Sequence, residues 1–442
     1  MNENKTGKTG AAEMLSFGGL QFALGIYTAF SSYYLVMFCT DIAMISPAVT
    51  AILLLCYRLF NVINSQVMGI IINRSSFKEG KYRPYFKLFA LPFAISLAAL
   101  GLSPLINAGI RIIYTALVLI VLDICWSILC TASLAMLPYL ADDDVNRTKF
   151  ISFSNSSAIL AFIVIGTFML PLADFSGNGN RANGFVLTLA IFALIAAPLI
   201  FFAYIRLKES PNASTSIKSG AKPGLKKIFL TVGRNKRIML FLAGFCLYSI
   251  ASSFRNLTTY YYITYNAGLG DLLPVIILAG LISPLAAQPV IPRLLKYAKK
   301  ETLIIFGLFA SSFISLLVLA AGNNPAALIT CAVFYGLFTA IAANLVYAVM
   351  ASFSDEMLAK EGMSMSEILT AALNFTSNIG SAITNGAVPM VMAAFGYSAL
   401  AVSQSAGTLS GIRALYIFCT AGGLALSGFV VLLFRREQLK GA

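Results

Sequence analysis

The sequence predicts an all-α membrane protein whose twelve transmembrane helices form two bundles of six. Hydrophobic residues make up 59% of the 442 residues and charged residues 11%, whereas soluble domains are about 45–50% apolar and about 25% charged. The apolar runs reach the ~20 residues that a helix needs to cross the hydrocarbon, and they lack the alternating pattern of barrel strands. One long polar connection divides these runs into six and six.

The twelve predicted spans follow one another through mostly short connections. They are approximately residues 18–40, 47–72, 84–103, 112–138, 150–172, 184–205, 237–264, 271–292, 302–320, 327–350, 367–394 and 411–434. Residues 1–205 are therefore the predicted N-terminal bundle, residues 206–236 a cytoplasmic linker and residues 237–442 the C-terminal bundle. Two such halves are typical of the major facilitator fold, in which the substrate binds near the midplane and the halves rock to give alternating access.

Lysine and arginine residues are concentrated in alternate loops. With the N-terminus in the cytoplasm, the inner segments hold 26 of the 31 Lys and Arg residues, and the outer loops hold only Arg111, Arg181 and Arg413. The positive-inside rule then predicts a multi-pass protein of the cytoplasmic (inner) membrane with both termini in the cytoplasm. The net charge of +14 is an orientation signal in the lipid bilayer, and we expect no nucleic-acid partner.

The residue types of the chain give no sign of an enzyme, a cofactor or a metal site. There is no histidine, and the seven cysteines fall in or beside spans without the spacing of metal ligands. The acidic run at Asp142 and Asp143 has no further ligand nearby in sequence. We therefore expect a monomer that is not an enzyme and whose partner is a small-molecule substrate.

Three ionisable residues lie well inside predicted spans: Arg58, Asp123 and Arg255. Such a group costs on the order of 3 kcal/mol or more in the bilayer, so it usually faces the bundle interior and has a role. Arg58 and Asp123 lie at similar depth, which suggests an ion pair. Asp123 is then either a proton-binding carboxyl or half of a permanent pair that fixes helix packing. A third option is that Arg58 and Arg255 bind an anionic substrate.

Neutral polar and aromatic residues mark further helix faces. Asn61 and Asn64 lie in span two, and Asn374 and Asn378 lie four residues apart in span eleven. Amides both donate and accept hydrogen bonds, which suits a polyhydroxylated neutral solute. The rings of Tyr27 and Trp126 are candidates for stacking on a sugar. The alternative for such residues is helix–helix hydrogen bonding, worth about 0.6–2 kcal/mol per contact.

Two cytoplasmic loops carry a recognisable pattern. GKYRPYFKL at residues 80–88 and PYLADDDVNRTKFISFSN at residues 138–155, with LSFGG and CTD flanking span one, resemble the glycoside–pentoside–hexuronide cation symporter family of the major facilitator superfamily, the melibiose-permease-like branch. The resemblance implies uptake of a small carbohydrate-like solute coupled to Na⁺, Li⁺ or H⁺. The candidate gating residues in these loops are Lys81, Arg83, Asp142, Asp143 and Arg147.

The charged residues of the melibiose-type members are mostly replaced in this chain. Their two cation-binding aspartates of span two fall on Asn61 and Ser65, the third cation acid falls on Cys130, and the arginine of span five falls on Asn155. The lysine of span eleven falls on Asn378, whereas Arg58 and Asn64 match. The candidate substrate-binding residues are Arg58, Asn61, Asn64, Tyr27, Trp126, Asn155, Arg255, Asn374 and Asn378.

The predicted function is secondary active transport of a small polar solute, a sugar or glycoside, by alternating access. Asp123 and Arg58 are the candidate ion-coupling residues, with H⁺ as the co-transported ion instead of the Na⁺ typical of the family. An uncoupled facilitator remains open. The alternatives are a transporter of lysolipids or organic anions that uses Arg58 and Arg255, and a non-transporting membrane sensor.

Overall fold

The computed structural model describes residues 11–74, 80–140, 144–207, 233, 235–287, 290–361, 366–401 and 403–440. The regular elements of these ranges are helices. Through the first half of the chain they are α1 (Ala11–Tyr33), α2 (Leu35–Met37), a π-helix (Phe38–Ile42), α3 (Pro47–Arg74), α4 (Arg83–Gly101), α5 (Ala108–Leu140), α6 (Asp144–Gly177) and α7 (Arg181–Arg206).

The second half continues the same all-helical pattern. Its elements are α8 (Lys236–Tyr261), a π-helix (Tyr262–Asn266), α9 (Leu273–Ala287), α10 (Ile291–Leu294), α11 (Lys300–Ala321), α12 (Pro325–Glu361), α13 (Ser366–Ala394), α14 (Ala406–Arg413), a π-helix (Ala414–Cys419) and α15 (Thr420–Lys440). Short 3₁₀ turns lie at Ser103–Leu105 and Gly270–Leu272.

Side-chain caps explain where several helices begin. The amide oxygen of Asn180 accepts from the backbone N–H groups of Ala182 and Asn183 at 3.0 and 3.4 Å, which satisfies free donors in the first turn of α7. Asn235 does the same at the start of α8. A polar residue directly before an apolar run thus starts the span that follows it.

Ten helices in the described ranges are long and apolar enough to cross a membrane. Ala12–Tyr33 and Leu35–Ile42, bent by 66°, add an eleventh if they form one span. The sequence predicted twelve, and the difference is α13. This helix occupies the predicted eleventh span, yet it is not among the ten. Its amides and hydroxyls, which marked it as a polar face in the sequence, also lower its apolar character.

The chain divides into two compact units. The first comprises the described residues of Met1–Ser31, Phe38–Ile45 and Leu59–Gly220, and the second those of Ser32–Met37, Ser46–Arg58 and Ala221–Ala442. The predicted linker, 206–236, stays a prediction, because residues 208–232 lie outside the described ranges.

The first unit is held together by close helix contacts. The helix α7 packs against α4 and α6, and α4 also packs against α5. Gly184 of α7 lies directly against the backbone of Ala173 in α6, where a Cβ atom would come within 1.9 Å of the Ala173 carbonyl oxygen. Small residues allow such approach between membrane helices. The two backbones therefore touch at this point.

The second unit has an aromatic centre. Phe241 of α8, Phe353 of α12 and Phe434 of α15 form three edge-on ring pairs with centroids 5.3 to 6.2 Å apart. Such pairs contribute about 0.5–1.5 kcal/mol beyond area burial. They join three helices that are distant in sequence, and they form part of the hydrophobic core of the second unit.

Candidate functional site

Asp123 of α5 is completely buried in the first unit and is held by two amides of α3. The Asn61 side-chain nitrogen donates to one carboxylate oxygen at 2.5 Å, and the Asn64 nitrogen donates to the other at 2.9 Å. Asn64 also donates to the Asp123 backbone carbonyl at 3.3 Å. Residues three apart share a helix face, so α3 presents both amides to one carboxylate.

The amides and the carboxylate are all removed from solvent. Asn61 is 7% exposed, Asn64 3% and Asp123 0%. Neither amide carries a charge, so these hydrogen bonds stabilise the carboxylate without neutralising it. A buried ionised carboxylate is costly unless it is protonated or paired with a positive charge, so the groups around Asp123 determine its charge.

The sequence predicted Asn61 and Asn64 as substrate-binding residues and Arg58 as the partner of Asp123. In the structure, both amide nitrogens donate hydrogen bonds to the Asp123 carboxylate. The guanidinium carbon of Arg58 lies 5.5 Å from the centroid of the Tyr57 ring. The ion pair between Arg58 and Asp123 stays a prediction.

Tyr27 and Trp126 contact each other about one helical turn along α5 from Asp123. Trp126 follows Asp123 by three residues on α5, and its indole N–H donates to the Leu24 carbonyl of α1 at 3.3 Å. The rings of Tyr27 and Trp126 form an edge-on pair with centroids 6.2 Å apart. The two rings that the sequence predicted for stacking on a sugar thus contact each other between α1 and α5.

Arg255 of α8 lies in a second place, a cavity of about 190 Å³ within the second unit. The side chain is 5% exposed. Its guanidinium carbon lies 3.9 Å from the centroid of the Tyr335 ring and 4.6 Å from that of Tyr416. Ser252 and Asn256 of the same helix also line the cavity.

Sequence reasoning missed both rings that contact Arg255. Tyr335 belongs to α12 and Tyr416 to the last π-helix, and neither stands in a motif that points to α8. Tyr260 and Tyr261, which follow Arg255 on the same helix, pack against Tyr265 with centroids 6.3 and 6.5 Å away.

The remaining candidate amides are dispersed. Asn155 of α6 and Asn374 of α13 are exposed, and Asn378 is half-buried. Asn385, further along α13, is buried and donates to the Ser381 carbonyl of its own helix at 2.8 Å. A substrate role for Asn155, Asn374 and Asn378 stays a prediction.

Of the predicted gating residues, Arg83 has the most defined contacts. Its Nε donates to the Tyr204 carbonyl at 2.7 Å, and its guanidinium carbon lies 4.7 Å from the Tyr204 ring centroid. It thereby caps the last turn of α7. The ammonium of Lys81 lies 5.6 Å from the Tyr82 ring centroid.

Two acidic residues and one arginine, in the cytoplasmic segment after α5, complete the predicted gate. Asp142 and Asp143 lie outside the described residues, and Arg147 is described only as part of the backbone of α6. The clamp between the two loops therefore stays a prediction. Within the described ranges, no three His, Cys, Asp or Glu side chains come together to hold a metal ion.

Known proteins resemble this chain over nearly its whole length. The family model described as MFS/sugar transport protein matches residues 16–436. The chain is 26% identical over 436 residues to the isoprimeverose transporter of Lactiplantibacillus pentosus, covering 97% of this chain and 89% of that protein.

Two solved structures share the fold. The D-xylose–proton symporter superposes with a TM-score of 0.69 at 14% identity, covering 96% of this chain and 97% of the other. The nucleoside transporter NupG superposes with a TM-score of 0.67 at 16% identity, covering 96% and 98%. The predicted major facilitator fold and the resemblance to the glycoside–pentoside–hexuronide symporters are both confirmed. With the family pattern running from residue 16 to residue 436, the chain belongs to the MFS/sugar transport protein family of multi-pass membrane transporters.

Proposed function

We propose that this protein is a secondary active transporter that moves a small sugar-like solute together with a proton, and that Asp123 carries the proton. The observation that supports the coupling is the buried Asp123 carboxylate with its two amide donors, Asn61 and Asn64. The relatives support the solute class, since one of them is a transporter of isoprimeverose. We place the protein in the cytoplasmic membrane with both termini inside.

The chemistry of the site fits a proton better than a metal cation. An amide offers an N–H donor to the ionised acid, and its carbonyl oxygen accepts from the protonated acid once the amide group rotates. Asn61 and Asn64 can therefore satisfy Asp123 in both protonation states. Only one carboxylate stands among these three side chains, whereas the melibiose-type pattern has several acids around its cation.

The experiment measures sugar uptake into proteoliposomes. A thermal-shift screen of pentoses, hexoses and glycosides, including isoprimeverose and D-xylose, first selects a sugar that binds. Uptake of that sugar is then driven by an inward pH gradient, or by a Na⁺ gradient without one. We expect the pH gradient alone to give accumulation.

Asp123→Asn should abolish accumulation driven by the pH gradient and retain counterflow exchange, because the neutral amide imitates the protonated acid. Asp174→Asn is the matched control: this acid of the same unit is paired with Arg181 at 2.8 Å, and its side chain is 47% exposed. The control should accumulate sugar like the parent. Full accumulation by Asp123→Asn, or accumulation driven by Na⁺ alone, would show that the proton role is wrong.

A further inference from the structure

The cavity in the second unit contains a buried cation without an anionic partner. Among the residues that the structure describes, the Arg255 side chain forms no ion pair, and its Nη1 atom is buried without a hydrogen-bond partner. The guanidinium contacts the rings of Tyr335 and Tyr416, which attract a cation but carry no negative charge. An arginine side chain cannot lose its proton inside a protein. The charge of Arg255 therefore has to be balanced by another group.

The lining of the cavity provides no such group. Its polar members are hydroxyls and an amide, and among the described residues that line it there is no Asp, no Glu and no second cation. One negative charge from outside the protein would therefore balance the site. An anion with two charges would leave a net negative charge buried, which is costly in the same way.

Two buried hydroxyls of the same cavity also lack a hydrogen-bond partner. They are Ser252 Oγ on α8 and Tyr335 Oη on α12. Ser252 precedes Arg255 by three residues, so the two side chains share a face of α8. A hydroxyl can donate to an anion, and a buried donor that stays unsatisfied is costly. Two helices thus offer N–H and O–H donors to one cavity in which no protein acceptor takes them up.

The rings beside Arg255 are supported by unusual backbone. Tyr416 lies in the π-helix Ala414–Cys419, and Tyr262 lies in the π-helix Tyr262–Asn266. The two rings stack with centroids 4.4 Å apart and an angle of 11° between their planes. Segments of π-helix are frequent at functional sites. The ring that contacts Arg255 is thus itself held by a second ring, which reduces the ordering that a ligand has to pay for on binding.

We propose that this cavity binds a monovalent inorganic anion, chloride, and that Arg255 holds it. Chloride is a single atom that accepts hydrogen bonds from any direction, so donors on α8 and α12 can share it. A charged donor such as a guanidinium gives the stronger of these bonds. The anion is neither the transported solute nor the proton on Asp123, so the inference goes beyond the proposed function and does not depend on it.

The test measures binding of ³⁶Cl⁻ to the full chain in detergent by equilibrium dialysis. We expect saturable binding of one chloride per chain, displaced by bromide and much less by sulfate or acetate at equal ionic strength. Bromide tests for a halide site, sulfate for the single charge and acetate for a carboxylate. Absence of saturable binding, or displacement by sulfate or acetate as effective as that by bromide, would overturn the proposal.

Two substitutions assign the chloride to this cavity. Arg255→Gln should weaken chloride binding about tenfold or more, the effect of losing a hydrogen bond from a charged group. Tyr335→Phe keeps the ring beside Arg255 and removes only the hydroxyl, so it should weaken binding about threefold or more. Arg293→Gln is the control, since Arg293 is an exposed cation of the same unit outside the cavity lining. Parental affinity in Arg255→Gln, or in Tyr335→Phe where the Gln variant does not fold, would contradict the site.

Thermal unfolding gives a second measurement of the same site. A ligand that binds only the folded protein raises its stability as the ligand concentration rises. Replacing sulfate by chloride at equal ionic strength should therefore shift the Tm of Arg255→Gln less than that of the parent and of Arg293→Gln. An equal shift in all three proteins would be a general salt effect and would count against a chloride site at Arg255.

Discussion

At the scale of single residues, the unusual polarity of the third helix is explained by one carboxylate. Asn61 and Asn64 belong to a polar ladder that the sequence associated with substrate, yet both amide nitrogens donate to Asp123. Each amide has both a donor and an acceptor. The two amides can therefore form hydrogen bonds with the carboxyl both when it is ionised and when it is protonated. A fixed positive charge alone would match only the ionised form.

Asn64→Ala should lower the free energy of unfolding by about 1–3 kcal/mol, the cost of leaving a buried polar group without its partner. The loss should be measured by denaturant unfolding of the purified protein in detergent. Asn183→Ala is the control, because Asn183 is an exposed side chain on α7 of the same unit. Equal stability of the two variants would contradict the role assigned to Asn64.

At the scale of helices, glycine positions decide how closely neighbours approach. A Cβ on Gly184 would lie 1.9 Å from the Ala173 carbonyl oxygen, whereas a Cβ on Gly109 of α5 would have no neighbour within 4 Å. The contact between α6 and α7 is thus formed by backbone atoms. Gly109 has no such constraint, although both residues lie in membrane helices.

Gly184→Ala should destabilise the protein by at least about 1–3 kcal/mol, the usual cost of overpacking, because α6 and α7 must separate. Gly109→Ala should be neutral or stabilising by up to about 1 kcal/mol, since alanine favours helix. Thermal unfolding followed by circular dichroism compares the two. A Gly184→Ala protein as stable as Gly109→Ala would show that the helices separate without cost.

At the scale of the whole molecule, the distribution of charge predicts orientation. The net charge of +14 lies mostly in alternate loops, and basic loops remain on the cytoplasmic side. The same distribution predicts that the loop between α6 and α7, which contains Gly179 and precedes Arg181, lies outside.

Reporter fusions test this orientation. Green fluorescent protein fused after Ala442 should fluoresce, and alkaline phosphatase fused there should be inactive, because the C-terminus is expected in the cytoplasm. Fusion of the same reporters after Gly179 should give the opposite pair of results. Active phosphatase at Ala442 would reverse the proposed topology.

The sequence by itself determined the class of the molecule, nearly all of its helices and the residues whose burial needs explanation. Apolar length and loop charge are local properties, so they can be read without knowing which helices are neighbours. The same reasoning identified Arg58, Asp123 and Arg255 as the ionisable residues inside spans. The eleventh predicted span is present as the helix Ser366–Ala394, although this helix is not among the ten in the described ranges that are long and apolar enough to cross a membrane.

Only the tertiary structure decided what those residues contact. It brought Asn61 and Asn64 to Asp123, placed Tyr335 and Tyr416 on Arg255, and used Arg83 to cap α7. Helical periodicity shows which residues share a face, but the helix opposite that face is set by packing among elements distant in sequence. For that reason sequence located the charged groups, whereas their partners emerged only from the folded chain.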